Sequence, residues 1–300
     1  MLAASTETNA LLLALGATGS CPSRWYASTV LRRLLRDESR HERLASCGWA
    51  PLPPMEAPLV DRLRGLAEDM QANLVRHSRS SDVGFDELWG NADEALRRDV
   101  QAQIAVAIRP FLDGTFEDFR PILYNFFVKR RRSEGSAVRY HQDFAMIDER
   151  GGDTALQLWI PLVDTTVENG ALIVVERSHL GATWIRPHDF RHPLRDASLT
   201  DLPPGAISLV LHAGEGIVFT NRTIHGSPAN RSTVDRHALG CVLVPRDASL
   251  VHLVEHPDRG VEIWAFSDDD MLTFHPGRFP PSARLVETVD PSERPAALPR

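Results

Sequence analysis

The spacing of apolar positions changes along this chain near residue 115. Before it, apolar residues recur every three or four positions, the period of one helix face. Leu31, Leu34 and Leu35 share such a face among arginines and glutamates and predict a helix over 28–46, closed by Pro51, Pro53 and Pro54. Val60, Leu63, Leu66, Met70 and Leu74 predict a second helix over 58–77, with Pro58 in the first turn, where a missing N–H costs nothing. Asp93 reads as the N-cap of a third, whose stripe is Leu96, Val100, Ile104, Ala107, Ile108 and Phe111, and which Pro110 and Gly114 are expected to end.

After residue 115 the pattern is that of strands. Ile122-Leu123-Tyr124-Asn125-Phe126-Phe127-Val128 is rich in aromatic and β-branched residues, and similar short runs follow at 155–162, 171–175, 207–211, 217–220 and 236–244. Turn residues such as Glu168-Asn169-Gly170 and Gly214-Glu215-Gly216 separate them. Residues 129–132 read as a basic loop, and the irregular stretch 181–204, with Arg186, His188 and Arg191, reads as a lid-like insertion. Helices followed by about eight short strands predict a mainly β chain with flanking helices (α+β). Its core would be a jelly-roll or cupin-like sandwich, with the helices on one sheet and a ligand site in the mouth between sheets. The expected organisation is a single domain over 1–300. It comprises a leader (1–24), a helical part (25–115), a β core (116–245) and a C-terminal extension of mixed character (246–300).

Composition narrows the class. At 43% hydrophobic and 24% charged, the 300 residues are those of a soluble globular protein, and a net charge of −7 speaks against a nucleic-acid partner. Basic charge is carried by 32 arginines and one lysine, Lys129, a bias that suggests a GC-rich genome. Cys21, Cys47 and Cys241 have no metal-ligand spacing and form no disulfide framework. The apolar run 11–15 is too short to cross a bilayer and has no basic flank. A cytoplasmic protein without a membrane partner is expected; composition leaves the oligomeric state open.

The chemistry centres on Arg139-Tyr140-His141-Gln142-Asp143-Phe144. A histidine and a carboxylate two residues apart share one face of a strand. His225, in Asn221-Arg222-Thr223-Ile224-His225-Gly226-Ser227-Pro228, is the best third ligand. Two imidazoles and one carboxylate are the facial triad of non-haem Fe(II) oxygenases. A second triplet, His256-Pro257-Asp258, has a central proline that disfavours an interior strand. Ser227 would share the face of His225, and Arg236 would offer a guanidinium able to grip a carboxylate with two parallel hydrogen bonds.

The succession His141-Gln142-Asp143, Leu158-Trp159-Ile160-Pro161-Leu162, Glu168-Asn169-Gly170-Ala171-Leu172, Ser178-His179 and His225-Gly226-Ser227-Pro228-Ala229-Asn230-Arg231-Ser232, then Arg236, resembles the phytanoyl-CoA dioxygenase family over roughly 120–245. The resemblance implies a double-stranded β-helix and Fe(II)- and 2-oxoglutarate-dependent oxidation by O2, with succinate and CO2 as co-products. It implies iron ligands at His141, Asp143 and His225. It places the distal carboxylate of 2-oxoglutarate on Arg236 with Ser227 beside it, Trp159 against the co-substrate pocket and Asn125 as another co-substrate contact. Where the family has Pro-Gly-Ser-His, this chain has Glu176-Arg177-Ser178-His179, a changed turn that touches no ligand. Related halogenases carry a small residue in place of the carboxylate, so Asp143 favours hydroxylation. Desaturation, epoxidation and ring formation, as in natural-product biosynthesis, begin from the same oxidant. Phe144, Met146 and Arg186 are the expected contacts of a small-molecule substrate. Two rival readings are a cupin-type metalloenzyme that needs no 2-oxoglutarate and a non-catalytic jelly roll that binds a small ligand.

Overall fold

The computed structural model describes residues 31–74, 84–89, 91, 93–181, 185–188, 197–256, 260–273, 280 and 282–290. The expected leader, Cys21 and Arg191 lie outside these residues.

Three helices precede the main strands. α1 spans Glu38–Cys47, capped by the Asp37 side chain, which accepts from Arg40 N at 2.9 Å, and closed by Gly48 in the left-handed region at φ 86°. The helix expected from residue 28 therefore starts ten residues later. Residues 31–34 have no regular structure, although Leu34 and Leu35 are fully buried. Burial there is met by an extended segment, which the three-leucine spacing cannot distinguish from a short helix. α2 spans Ala57–Ala72, and the expected last turn at 75–77 falls outside the described residues. α3 spans Glu94–Thr115, with Asp93 Oδ1 accepting from Leu96 N at 3.0 Å as its cap. Pro110 lies inside α3 instead of ending it. It is exposed, while Ile104, Ala107, Ile108 and Leu112 are buried on both sides of it. Packing of that stripe outweighs a break worth roughly 3 kcal/mol.

The strands are β1 (Trp49–Pro51), β2 (Phe85–Glu87), β3 (Phe119–Lys129), β4 (Val138–His141), β5 (Leu156–Pro161), β6 (Leu172–Val175), β7 (Ala206–Leu209), β8 (Ile217–Thr220), β9 (His225–Ser227) and β10 (Arg236–Pro245). They form a six-stranded sheet, β1-β8-β5-β10-β3-β2, and a four-stranded one, β4-β9-β6-β7, in which every pairing is antiparallel. This is a jelly roll. Alternation along each strand gives the large sheet two faces. Phe126, Val128, Leu156, Leu158, Ile160, Val218, Leu239, Cys241 and Leu243 pack with Leu44, Leu63, Met70, Ile104 and Leu112 of the helices. The alternate positions, including Asn125, Phe127, Trp159 and Arg236, turn to the opposite face, where Trp159 and Phe127 meet Leu172, Val174 and Leu209 of the small sheet.

The C-terminal stretch, expected to be mixed, contains a third antiparallel sheet. It consists of β11 (Leu250–His256), β12 (Gly260–Phe266) and β13 (Arg284–Val289), with a short helix α4 (Asp268–Thr273) between the last two. Val251, Leu253, Val261, Ile263 and Val289 pack on Ala145 and Ile185. Val251 N donates to Met146 O at 2.9 Å, and Ile147 bridges to Leu250. The third sheet thus braces the chain immediately after the His-x-Asp triplet.

Candidate metal centre

β4 and β9 pair antiparallel with His141 directly opposite His225, and the two imidazole rings lie 4.1 Å apart. Cross-strand neighbours of this kind bring side chains close without any sequence proximity. Asp143 lies past the end of β4, in a stretch with no strand partner, so the same-face argument from strand alternation is not what places it. Its Oδ1 is nonetheless 3.7 Å from His141 Nε2 and 3.9 Å from His225 Nε2. One ligand atom from each residue lies within 4.8 Å of the others.

Each histidine is oriented by its own backbone. His141 Nδ1 is 2.9 Å from Arg139 O, and His225 Nδ1 is 3.0 Å from Thr223 O. Those contacts call for Nδ1–H tautomers, which leave both Nε2 lone pairs for a metal. Burial, reinforced by His141, pushes the His225 imidazole down to about 4, so it is neutral near pH 7, the form a metal requires. The Phe219 ring, 4.7 Å away, closes the other side of His225. Ser178, from the Ser-His motif, accepts from Ile224 N at 2.8 Å and donates to Val175 O at 2.7 Å, fixing the approach to β9. The adjacent His179 reaches Ala45 O of α1 at 3.0 Å.

Arg236 opens β10 and is buried, on the face that carries Trp159. Its guanidinium carbon lies 5.4 Å from the Trp159 ring centre. Nε and Nη1 have no hydrogen-bond partner among the described residues, and burial lowers the group to about 9. A buried cation with unmet donors is costly unless an anion completes it. Ser227, on β9 with His225, is buried as well. Asn125 and Trp159 flank Gly240 in one row of the sheet. A Cβ on Gly240 would lie 2.4 Å from the Phe127 ring, so a side chain there would force that ring to move. Asn125 Oδ1 accepts from Trp89 N at 3.0 Å, leaving its amide nitrogen as the group it can offer a ligand.

Other expected positions fall elsewhere. Lys129 is no member of a solvated basic loop. It ends β3, is fully buried, and donates to the carbonyls of Ser136, Ser227 (3.3 Å) and Pro228 (2.8 Å). Met146 is buried among Ile122, Leu123, Ile147 and Val242, in the same cluster as the half-buried Phe144 and Trp89. Arg186 is likewise no lid residue. It is fully buried, with both terminal nitrogens on Glu149. His256 Nε2 lies 3.1 Å from Glu262, and the rest of its triplet is outside the described residues. Phe144 is half-buried, stacked on Trp89 at 6.1 Å and within 5.1 Å of the His188 ring and 6.1 Å of the His252 ring. Sequence reasoning missed Trp89 and His252, which reach this cluster only through the tertiary fold.

Two imidazoles and a carboxylate fit a divalent first-row transition metal such as iron, and the buried Arg236 guanidinium, with Nε and Nη1 unmet, fits a carboxylate. The profile of the phytanoyl-CoA dioxygenase (PhyH) family matches residues 54–238, and the chain belongs to that family. It is 28% identical over 172 residues to a probable alpha-ketoglutarate-dependent hypophosphite dioxygenase of Stutzerimonas stutzeri, a match covering 55% of this chain and 56% of that protein. It is 24% identical over 131 residues to the human peroxisomal phytanoyl-CoA dioxygenase, covering 41% of this chain and 38% of that one. The chain therefore spans about half or less of the length of these relatives. Among crystal structures, the epimerase SnoN in complex with Fe3+, alpha ketoglutarate and nogalamycin RO superposes with a TM-score of 0.54 at 22% identity, over 84% of this chain and 94% of that one. Among the described residues, no helix is long and apolar enough to cross a membrane.

Proposed function

We propose that this protein is an Fe(II)- and 2-oxoglutarate-dependent oxygenase that hydroxylates a carbon of a small molecule. The observation that carries the reading is the pairing of two features. Three ligand atoms lie within 4.8 Å of one another, and the buried Arg236 guanidinium of the same inter-sheet space has two donors unmet. His141, Asp143 and His225 would hold the iron. Arg236 would take the distal carboxylate of 2-oxoglutarate, with Ser227 beside it, Trp159 against the guanidinium and the Asn125 amide as a further donor. When bound, iron and 2-oxoglutarate supply an oxidant from O2, with succinate and CO2 as co-products.

The chain's own part is positioning and exclusion of water. The backbone carbonyls of Arg139 and Thr223 orient the two imidazoles, and the apolar Phe219 and Trp159 dry one side of the site. Asp143 would be a ligand to the iron where related halogenases have a small residue and leave room for a halide, which favours hydroxylation over halogenation; desaturation, epoxidation or ring closure would begin from the same oxidant. Phe144 heads the half-buried ring cluster that would face the substrate.

Anaerobic addition of Fe(II) and 2-oxoglutarate tests the reading. A visible charge-transfer absorption is expected in the wild-type protein and lost in His141→Ala and His225→Ala. Succinate release in air, enhanced by candidate substrates, follows from it. Absence of both the absorption and succinate would overturn the assignment.

A further inference from the structure

Asp143 is the one triad member outside a sheet, so something other than a strand ladder must hold it. The chain around it is bound by Arg186. The Arg186 Nε donates to the Asp143 carbonyl at 2.9 Å, and the Arg186 carbonyl accepts from Ala145 N at 2.9 Å. One residue thus grips the backbone on both sides of Phe144. Its terminal nitrogens meet the two oxygens of Glu149 at 2.7 and 2.8 Å. Glu149 also accepts from Arg222 Nε at 2.9 Å and from Thr154 Oγ1 at 2.6 Å. Arg222 lies three residues before His225, and its carbonyl accepts from the side chain of Gln142, the middle residue of the His-x-Asp triplet. A closed circuit results, running Asp143 carbonyl, Arg186, Glu149, Arg222, Gln142. It ties the segment bearing two ligands to the segment bearing the third. Arg186 and Glu149 are both fully buried and Arg222 is 5% exposed, so water does not compete with these bonds.

We propose that Arg186 is a positioning residue for the metal centre. Through the circuit with Glu149 and Arg222 it sets the place of the Asp143 carboxylate relative to the two imidazoles, and so governs metal affinity and ligand field. The inference rests on the iron-site reading above. A guanidinium is needed because its planar fork serves the Glu149 carboxylate while Nε serves the Asp143 carbonyl; a lysine ammonium cannot span both. Partners of metal ligands are typically worth ten- to a hundredfold in metal affinity.

The probe is Co(II), added to the full chain, with affinity and visible ligand-field absorption read by titration and the fold checked by circular dichroism and metal-free melting. Wild-type protein is expected to bind one Co(II), and Asp143→Ala to bind far more weakly; failure here overturns the iron-site reading itself. Given that binding, Arg186→Lys is expected to weaken Co(II) roughly tenfold or more and to alter the ligand-field spectrum, at temperatures well below its metal-free melt. A folded Arg186→Lys with wild-type affinity and spectrum overturns the inference and leaves the iron site standing. Should Arg186→Lys fail to fold, Gln142→Met cuts the other strut without stranding a buried charge. Weaker Co(II) binding by a folded Gln142→Met then supports the circuit, and unchanged binding reduces it to a purely structural ion pair and overturns the proposal.

Discussion

The Arg236 guanidinium lies 5.4 Å from the centre of the Trp159 ring, buried, with Nε and Nη1 unpartnered among the described residues. A cation so placed destabilises the fold until an anion meets it, because taking a charge out of water without a partner costs several kcal/mol. Arg236→Met should therefore melt at a higher temperature than wild type when neither metal nor co-substrate is present. Adding metal and 2-oxoglutarate should raise the wild-type melting temperature by several degrees, since a hundredfold excess over Kd is worth about 2.7 kcal/mol. In Arg236→Met the 2-oxoglutarate increment should vanish while the metal increment stays. A variant that loses both increments would mean that Arg236 supports the metal site and not the co-substrate.

Phe144 follows a proposed ligand but points its ring into a cluster with Trp89, His188 and His252. Phe144→Ala removes packing surface without removing a metal or carboxylate contact. Substrate KM should rise by about tenfold, the worth of roughly 1.4 kcal/mol, while succinate release without substrate is retained. The measurement is the ratio of succinate to oxidised product, which should climb above one as the two half-reactions uncouple. Equal loss of both would place Phe144 under the iron ligands and not against the substrate.

How far the sequence reaches is clear from these same residues. His141, His225 and Arg236 are picked out by residue type and by their places on or beside predicted strands, Trp159 only by the family resemblance, and the strands that carry all four are where the sequence pattern puts them. The stripe Leu31, Leu34 and Leu35 lies ahead of α1 and not on a helix, whereas the second stripe marks α2 and overruns it at Leu74, since apolar spacing records burial and not the backbone that achieves it. Arg186 read as a lid because its partner Glu149 is 37 residues away, inside a polar run that looks like a solvated turn. Lys129 read as a loop cation because its three acceptors are main-chain carbonyls, which have no signature in sequence. The third sheet had a signal, the alternation Val261-Glu262-Ile263-Trp264, but its contacts with Ala145 and Ile185 are tertiary.

Glu149 makes the circuit around Asp143 sensitive to acid. Burial would raise its carboxyl, but Arg186 and Arg222 outweigh burial and hold it below its ordinary value of 4.5. Because the folded value is depressed, the stabilisation is complete above about pH 4.5. It is lost as pH falls further, through the folded value. Glu149→Gln should cost about 3–5 kcal/mol at pH 7, where it leaves two buried guanidinium groups without a counter-charge. Its melting temperature should then fall less steeply than that of wild type below pH 4.5, so the two curves converge in acid. Parallel curves across that window would show that Glu149 is not ionised in the folded protein.

Lys129 is the chain's one lysine, and its ammonium group joins the end of β3 to the carbonyls of Ser136, Ser227 and Pro228. Burial, reinforced by Arg236, pulls its ammonium well below the ordinary 10.5. The same burial keeps out reagents. An amine-reactive ester should leave Lys129 unmodified in the native protein and modify it in denaturant, as peptide mass spectrometry would read. Lys129→Met should destabilise the protein by about 3 kcal/mol, since at least one buried carbonyl is left without a donor. The loss should fall hardest on β9, because two of the three acceptors lie on or just after the strand that carries His225. Hydrogen exchange at residues 225–227 should therefore accelerate more than exchange in the helix-facing strand β5. Uniform acceleration across both sheets would mean that Lys129 contributes only to global stability and does not clamp the ligand strand.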